Sequence, residues 1–298
     1  MPQPSDPQRS RELTRLEALL DTVANRWLIR VPAGLREFLA FGIKQAWACL
    51  FGALMLTAII LTSWWYPADA PVARNDVLVI IAVLIQIGML AFRLETGREF
   101  LVIVLFHIFG TVMELFKTAV GSWNYAPGGV LHIGAVPLFT GFMYAAVGSY
   151  IVRVYRLFDL RFSHYPPRWI TALIAVAIYV NFFAHHFVID IRLFLVAATV
   201  IVYFRCVMHF RVHTRTLRMP ILLAFVLVAF FIWIAENIGT AAGAWLYPSQ
   251  AEGWELVPVT KLVAWFLLMM ISVVLVTFVY PPRPPETTAH RGSADRPS

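Results

Sequence analysis

The sequence predicts an all-α membrane protein, a polytopic bundle of about eight transmembrane helices arranged as a tandem 4+4 parallel repeat. Three observations predict this fold class. First, 60% of the 298 residues are hydrophobic and only 14% are charged, whereas soluble domains average about 45–50% apolar and about 25% charged residues. Second, apolar runs of membrane-spanning length recur along the chain. Third, the stretch ELFKTAVGSWNY at 114–125 returns as ENIGTAAGAWLY at 236–247.

The two ends of the chain are polar. Residues 1–43 are Arg-rich and lack an apolar core with a cleavage site, so we predict a cytoplasmic N-terminal segment and no signal peptide. Within it, apolar residues recur at helical spacing over 10–27, which indicates an interfacial amphipathic helix. Residues 282–298 are Pro-rich and polar, and are predicted to form a disordered cytoplasmic tail.

Eight apolar runs between these ends are long enough to cross a bilayer. Residues 44–152 hold the first four and residues 153–281 the second four, so these ranges are predicted to be two four-helix membrane repeats. The connections are too short for a separate soluble domain. The runs lie at about 45–65, 77–92, 100–119, 135–152, 169–185, 191–205, 220–241 and 259–280.

The basic residues are distributed unevenly between the two sides of the predicted bundle. Twenty of the 24 Lys and Arg residues fall on the side that carries both termini, including those of the loops at 153–168 and 205–218. The positive-inside rule therefore places both termini in the cytoplasm. The net charge of +7 thus reflects the membrane topology and predicts contact with anionic membrane lipids. No nucleic-acid partner is predicted. The other side keeps Arg74, Lys117, Arg192 and Lys261.

The repeated stretch lies at the end of the third and seventh spans, so both copies face the same side of the membrane. Val-Pro strings at 135–138 and 256–259 follow the two copies and open the next span in each half. Parallel repeats place equivalent residues around an axis along the membrane normal, and such proteins commonly bind ligands between the halves.

Glu114 and Glu236 are the candidate catalytic residues. A carboxyl group inside a span costs several kcal/mol unless it is paired. Apolar surroundings favour the protonated acid, which can donate a proton. The structural alternative for Glu114 is a local ion pair with Lys117, one turn further on. Glu236 has Gly239 at that position and Asn237 beside it.

Other polar and aromatic residues are predicted to line a substrate cavity around the two glutamates. His107 lies two turns before Glu114, although a buried histidine of this kind is equally often a packing residue. The Trp and Tyr residues of the repeat are alternatively part of an aromatic belt at the membrane boundary. The predicted cavity residues are His107, Lys117, Trp123, Tyr125, Asn181, His185, Asn237, Trp245 and Tyr247.

No metal site is predicted, and the cofactor is left open. His185 and His186 with Asp190 supply too few converging ligands. His209 and His213 fall in the Arg-rich loop, where contact with lipid headgroups is favoured. The sequence also lacks an aspartate-rich diphosphate motif, a Gly-rich phosphate loop and an HExxH motif.

Four stretches together resemble a bacterial membrane family known as domain of unknown function 817: ELFKTAVGSW, VPLFTGFMYAAVGSY, YVNFFAHHF and WIAENIGTAAGAWLYP. The resemblance covers about residues 40–280 and implies a multi-pass protein of the bacterial inner membrane, without an established activity. The chain also resembles membrane carotenoid hydratases and cyclases in having a glutamate at a span end, then Gly-x-aromatic-x-Tyr and Val-Pro. That similarity implies proton donation by Glu236 and Glu114, and Lys117 departs from its pattern.

These observations favour an enzyme that modifies an apolar or isoprenoid-like lipid by acid chemistry at the paired glutamates. The alternative is a small-solute or proton-coupled transporter, in which the same glutamates carry protons. A transporter of this kind is expected to have helices broken near the membrane centre. A non-catalytic scaffold is the third hypothesis.

Overall fold

The computed structural model describes residues 31–285, and within this range the protein is mostly helical. The helices are α1 (Ala33–Ala48), α2 (Leu50–Trp65), α3 (Arg74–Ala91), α4 (Gly97–Ala119), α5 (Phe139–Leu157), α6 (Arg168–Ala184), α7 (Arg192–Tyr203), α8 (Ile221–Ala241) and α9 (Lys261–Val279). The strands are β1 (His132–Ile133), β2 (Val136–Pro137), β3 (Arg161–Ser163), β4 (Val207–Arg211) and β5 (Thr216–Pro220).

Local sequence signals explain where several helices begin. Prolines stand immediately before α1, α6 and α8, where a residue without an N–H group leaves no helical hydrogen bond unmade. At the start of α4, the Thr96 hydroxyl accepts from the Glu99 N–H and the Glu99 carboxylate accepts from the Thr96 N–H, which is a capping box. Between α1 and α2 the chain bends by 66° at Cys49.

Helices α2 to α9 run alternately between two ends of the molecule. At one end, here called the motif end, Arg74 at the start of α3 donates a hydrogen bond to the Gly243 carbonyl just after α8. At the other, here called the sheet end, strands β3, β4 and β5 pair. The Lys44 ammonium bonds there to the Leu157 carbonyl at the end of α5 and to the Arg211 carbonyl of β4.

Four helices, α3, α4, α8 and α9, are long and apolar enough to cross a membrane, and the bent pair of α1 and α2 can supply a fifth span. Helices α6 and α7 are apolar but shorter. All eight predicted apolar runs therefore contain a helix, whereas length and hydropathy support four to five candidate spans within residues 31–285.

The three-stranded sheet was not predicted, because β4 and β5 lie in the stretch interpreted as an Arg-rich loop. The strands are antiparallel in the order β3-β4-β5, with Phe162 opposite Met208 and Met208 opposite Met219. Apolar and polar residues alternate along Val207–Arg211, and side chains two apart share one face of a strand. The prediction of an all-α fold is thus wrong in this part of the chain, and His209 is a strand residue that bonds to Ser163.

Two arginines assigned to the 153–168 loop lie instead on α5 and are buried in ion pairs. Arg153 and Glu95 are 3.5 Å apart, and each side chain is 1% exposed. Arg156 and Glu99 are 2.9 Å apart. Charges buried in an apolar interior are costly unless they are paired, and the partners here are Glu95 in the turn between α3 and α4 and Glu99 in the first turn of α4.

The predicted segment limits fall inside helices. The limit between residues 43 and 44 lies within α1, and the one between residues 152 and 153 lies within α5. Lys44 and Arg153, next to these limits, continue their helices, and neighbouring elements satisfy their charges. The amphipathic helix predicted over 10–27 and most of the predicted tail lie outside the described residues.

Candidate functional site

The two copies of the repeated stretch have the same local structure. After α4 the chain turns at Gly121, and after α8 it turns at Gly243, with φ angles of 71° and 65°. These left-handed values favour glycine, and each closes its helix with the hydrogen bonds of a Schellman motif. Asn124 and Leu246 then exchange backbone hydrogen bonds of 2.9 Å in each direction, so the two copies pair with one another.

Glu114 on α4 is buried, with 4% of its surface exposed, and aromatic side chains surround its carboxylate. Oε2 accepts hydrogen bonds from Trp123 Nε1 at 2.8 Å and from Tyr125 Oη at 2.6 Å. Oε1 accepts from Tyr144 Oη at 2.8 Å. Both carboxylate oxygens are therefore satisfied by neutral donors.

Glu236 on α8 is equally buried and has an equivalent set of partners. Tyr247 Oη donates to Oε1, and Trp265 Nε1 donates to Oε2 at 2.6 Å. Tyr247 corresponds to Tyr125 in the repeat, and Trp265 follows its Val-Pro string at the same distance as Tyr144 follows the other. The copies thus build two glutamate sites of the same design.

Both glutamates line one cavity of about 800 Å³, with walls formed mainly by α5, α8 and α9. This volume is in the range of sites that bind small molecules. The cavity follows α9 from Lys261 to Thr277, a length of about 24 Å at 1.5 Å per helical residue. Its charged residues lie at the motif end, and the remaining wall is almost entirely apolar. The lining at the sheet end includes Phe162, Met208, Phe210 and Met219.

A comparison with known proteins identifies the family. The family described as "Protein of unknown function (DUF817)" matches residues 37–273, a range that contains both glutamate sites and the three-stranded sheet. The chain belongs to this family. The resemblance predicted from the sequence is therefore confirmed.

A relative in Bacillus subtilis (strain 168), described as "Uncharacterized protein YoaT", is 42% identical over 242 residues. The match covers 81% of the present chain and 91% of the relative. No solved structure matches this DUF817 chain.

The structure brings together six of the eleven site residues predicted from the sequence. Besides the two glutamates, the cavity wall contains Trp123, Tyr125, Trp245 and Tyr247. The other five predicted residues do not line it: His107, Lys117, Asn181, His185 and Asn237. Each of these five has a structural contact instead.

Asn181 and His185 hold the turn between α6 and α7, so their predicted place in the cavity wall is corrected. Asn181 donates to Asp190 Oδ1 at 3.1 Å and accepts from the Ile191 N–H at 3.2 Å. His185 Nδ1 lies 3.0 Å from the Asn181 carbonyl oxygen. Burial acts in the opposite direction, but the hydrogen bond from Asn181 and the contacts with Arg192 lower the pKa of Asp190. The cluster stabilises a turn.

His107 and Asn237 also have packing roles. The His107 ring stacks edge-on against Phe142, with 4.8 Å between ring centroids. Asn237 donates to the Trp233 carbonyl and accepts from the Val257 N–H at 2.8 Å, which fixes the Val-Pro string after the second motif. The two residues thus stabilise the structure near the site without lining the cavity.

Lys117 does not form the ion pair with Glu114 that its spacing suggests. Its ammonium lies 3.0 Å from His186 Nε2 and 4.5 Å from the centroid of the Phe182 ring. A lysine ammonium has only donors, so His186 Nε2 accepts. Partial burial, together with the Lys117 charge, lowers the pKa of His186. The Glu114 oxygens are occupied by Trp123 and the two tyrosines, which leaves Lys117 to bond elsewhere.

Sequence reasoning missed three residues of the site. Tyr144 and Trp265 are the Glu partners on α5 and α9, and extending the repeat alignment through the Val-Pro strings would have paired them. Lys261 lines the cavity, with its ammonium 4.2 Å from the Tyr247 ring centroid and 5.6 Å from that of Trp123. The sequence feature that could have identified Lys261 is its position as the single charged residue at the start of an apolar span.

The hydrogen bonds restrict where a proton can be held. An indole N–H only donates, so the oxygen of each glutamate that faces a tryptophan must remain an acceptor. A protonated Glu114 therefore carries its proton on Oε1 next to Tyr144, and a protonated Glu236 on Oε1 next to Tyr247. After proton release, the Trp and Tyr donors stabilise the carboxylate. Within residues 31–285, no group of three or more His, Cys, Asp and Glu residues is arranged to hold a metal ion.

Proposed function

We propose that this protein is a membrane enzyme that modifies an elongated apolar lipid, of isoprenoid type, by acid chemistry at Glu236 and Glu114. The observation that supports the proposal is the shape and lining of the cavity. It is long and apolar, and its two carboxyl groups lie together at one end. A hydrocarbon chain fits such walls without leaving polar groups unpaired, whereas a small polar solute does not.

The proposed reaction begins with proton transfer to a carbon–carbon double bond. The glutamate Oε1–H bond breaks, a C–H bond forms, and the electron pair of the alkene leaves a carbocation at the neighbouring carbon. The carboxylate that remains is stabilised by its Trp and Tyr hydrogen bonds, and aromatic faces in the wall stabilise the cation. Loss of a proton from the cation to the second glutamate, in its carboxylate form, gives an isomer or cyclised product. Addition of water, with the extra proton passed to a glutamate carboxylate, gives an alcohol. The resemblance to carotenoid hydratases and cyclases supports the same chemistry.

The proposal includes a membrane arrangement. Eight helices, α2 to α9, cross the inner membrane of a bacterium as two parallel four-helix repeats, with the motif end outside and both termini in the cytoplasm. The alternation of helix ends, the paired motifs and the basic residues on the side of the sheet support this arrangement. Membrane lipid is the partner, and nucleic acid is not.

A proton-coupled transporter is the second candidate, and one feature favours it. The 66° bend between α1 and α2 is a broken helix, of the kind that transporters use around their binding sites. In that case the glutamates would bind and release protons during transport without a chemical change in the substrate.

Replacing the glutamates distinguishes the two functions. Glu236→Gln keeps size and hydrogen bonding but removes the acid, so we expect the lipid product to fall by about 10²–10⁴-fold. Glu114→Gln and the double variant are tested alongside, and Glu252→Gln is the control because Glu252 is an exposed carboxylate in the following loop. Membrane lipids and solute uptake are compared at equal expression.

Loss of a lipid species in the Glu236→Gln strain supports the enzyme. Loss of uptake with an unchanged lipid profile supports the transporter. Retention of both by the double variant would show that the paired glutamates are structural.

A further inference from the structure

Two lysines lie at the motif end, Lys261 in the cavity wall and Lys117 outside it, and neither forms a salt bridge with a carboxylate among residues 31–285. Lys117 is 4% exposed, and its ammonium contacts the His186 and Phe182 rings. Lys261 lies against the rings of Tyr247 and Trp123. A buried ammonium without a counter-ion is costly, because burial removes its hydration. Aromatic donors occupy the oxygens of the two carboxylates nearby, so Glu236 attracts the Lys261 charge only at a distance and neither glutamate contacts a lysine directly.

Both lysines lie close to the same part of the cavity, near enough for their charges to repel one another. Lys261 is itself in the wall, and the Phe182 ring under the Lys117 ammonium is also in the wall. Lys261 further contacts Trp123 and Tyr247, the residues that donate to Glu114 and Glu236. An ammonium group has three donors, and His186 takes only one of those of Lys117. The motif end therefore presents unused positive donors beside the two acids.

We propose that this end binds the anionic head of a single-chain lipid, with Lys261 as the direct ligand and Lys117 as the flanking charge. The inference rests on the proposed function and narrows its substrate class to an elongated hydrocarbon with a phosphate-like anion at one end. The chain extends toward Phe210 and Met219 along the apolar wall. A negative head beside Glu114 and Glu236 favours protonation of the glutamate that acts as the acid.

Binding measurements test the proposal without any catalytic turnover. The full chain is purified in phosphatidylcholine nanodiscs, and equilibrium binding of radiolabelled geranylgeranyl phosphate and geranylgeraniol is compared. These probes share a hydrocarbon chain and differ in the anion. A charge-assisted hydrogen bond contributes about 1.5–3 kcal/mol, so we expect the phosphate to bind about tenfold or more tightly than the alcohol.

Lysine variants test whether the two lysines cause the preference for the phosphate probe over the alcohol. Lys261→Gln should abolish the preference for the phosphate, and Lys117→Gln should reduce it, while binding of the alcohol stays unchanged. Lys261→Arg keeps the charge and should keep the preference, which separates charge from packing. Arg218→Gln is the control, because it removes an exposed positive charge at the sheet end.

Equal affinity of the wild-type chain for both probes would overturn the proposal, whatever the variants do. A preference that survives in the Lys261→Gln, Lys117→Gln double variant would also overturn it. Inorganic phosphate is added as a competitor: displacement of the lipid phosphate at similar concentrations would show a site for the free anion instead of a lipid head. Glu236→Gln should still bind the phosphate probe more tightly than the alcohol. The binding result therefore stands even if the proposed catalysis is wrong.

Discussion

At the scale of single residues, the site depends on which donors reach each carboxylate. The sequence suggests that Lys117 pairs with Glu114, but Trp123, Tyr125 and Tyr144 occupy both oxygens. The partners are neutral and hold the carboxyl group in one orientation without fixing its charge. A salt bridge would hold Glu114 ionised, whereas this arrangement leaves it able to gain and lose a proton.

Glycines on α4 and α5 let aromatic and imidazole side chains approach the helix backbone. A Cβ atom at Gly110 would lie 2.5 Å from Cγ of Tyr144, and one at Gly141 would lie 2.5 Å from Cε1 of His107. The small residues of these helices therefore set the position of the Tyr144 hydroxyl that binds Glu114.

We expect Gly110→Ala to destabilise the protein and to disturb the Glu114 site together. The added methyl group overlaps the Tyr144 ring, and overpacking of this kind costs about 1–3 kcal/mol. Gly88→Ala is the matched control, because no heavy atom lies within 4 Å of its added Cβ and alanine favours a helix. Thermal unfolding in detergent, followed by tryptophan fluorescence, should show a lower melting temperature for Gly110→Ala and no decrease for Gly88→Ala. Equal melting temperatures of the two variants would contradict the packing argument.

At the scale of secondary-structure elements, the packing of α4 against α5 is completed by charges at the sheet end. Arg153 contacts Glu95 and donates to the Trp47 carbonyl, and Glu95 also accepts from Gln86 and Ser149. The network links α1, α3, α5 and the turn before α4. Through this network, an arginine that the sequence analysis assigned to a loop connects helices inside the protein.

Removing one partner of this network should be much more harmful than removing the pair. Arg153→Met leaves Glu95 buried without its counter-charge, and we expect a loss of about 3–5 kcal/mol in the free energy of unfolding. The double variant Arg153→Met, Glu95→Gln should recover most of that loss. Arg192→Met serves as the comparison, since its ion pair with Asp190 is about one third exposed and should contribute at most about 1 kcal/mol. A double variant as unstable as Arg153→Met alone would be evidence against an ionic role.

At the scale of the whole molecule, the two repeated stretches meet at the motif end beside one cavity. The backbone pairing of Asn124 with Leu246 joins the two repeated stretches. Trp123 from the first stretch also contacts the Tyr247 ring from the second, with 6.0 Å between centroids. Each stretch thus contributes one glutamate to the cavity, and the contacts between the stretches hold the two glutamate sites side by side.

Cysteine labelling tests the proposed eight-pass arrangement. In a background with Cys49→Ser and Cys206→Ala, single cysteines are introduced at four exposed positions: Pro127, Glu252, His164 and Arg215. A membrane-impermeant maleimide should label Pro127→Cys and Glu252→Cys in intact spheroplasts, and the other two only after permeabilisation. Inverted labelling at any two positions rules out the arrangement.

The positions of the helices were predictable because each long apolar run in the sequence favours a helix. Each of the eight runs contains a helix, and the family was recognisable from four local stretches. What the hydropathy pattern missed was the sheet, since strands such as Val207–Arg211 are short and half polar. Pairing with Arg161–Ser163, far away in the sequence, stabilises them, and no local pattern reports that partner.

The sequence by itself determined that Glu114 and Glu236 are equivalent, because identical offsets to Gly, Trp and Tyr can be read without a structure. Only the tertiary structure decided which residues share their cavity. Helical spacing places His107 and Lys117 on the face of Glu114, but packing directs them to Phe142 and His186. Tyr144, Trp265 and Lys261 come from other helices, so their contacts with the site depend on how those helices pack. Local spacing specifies a helix face, and the contacts made by that face depend on the neighbouring elements.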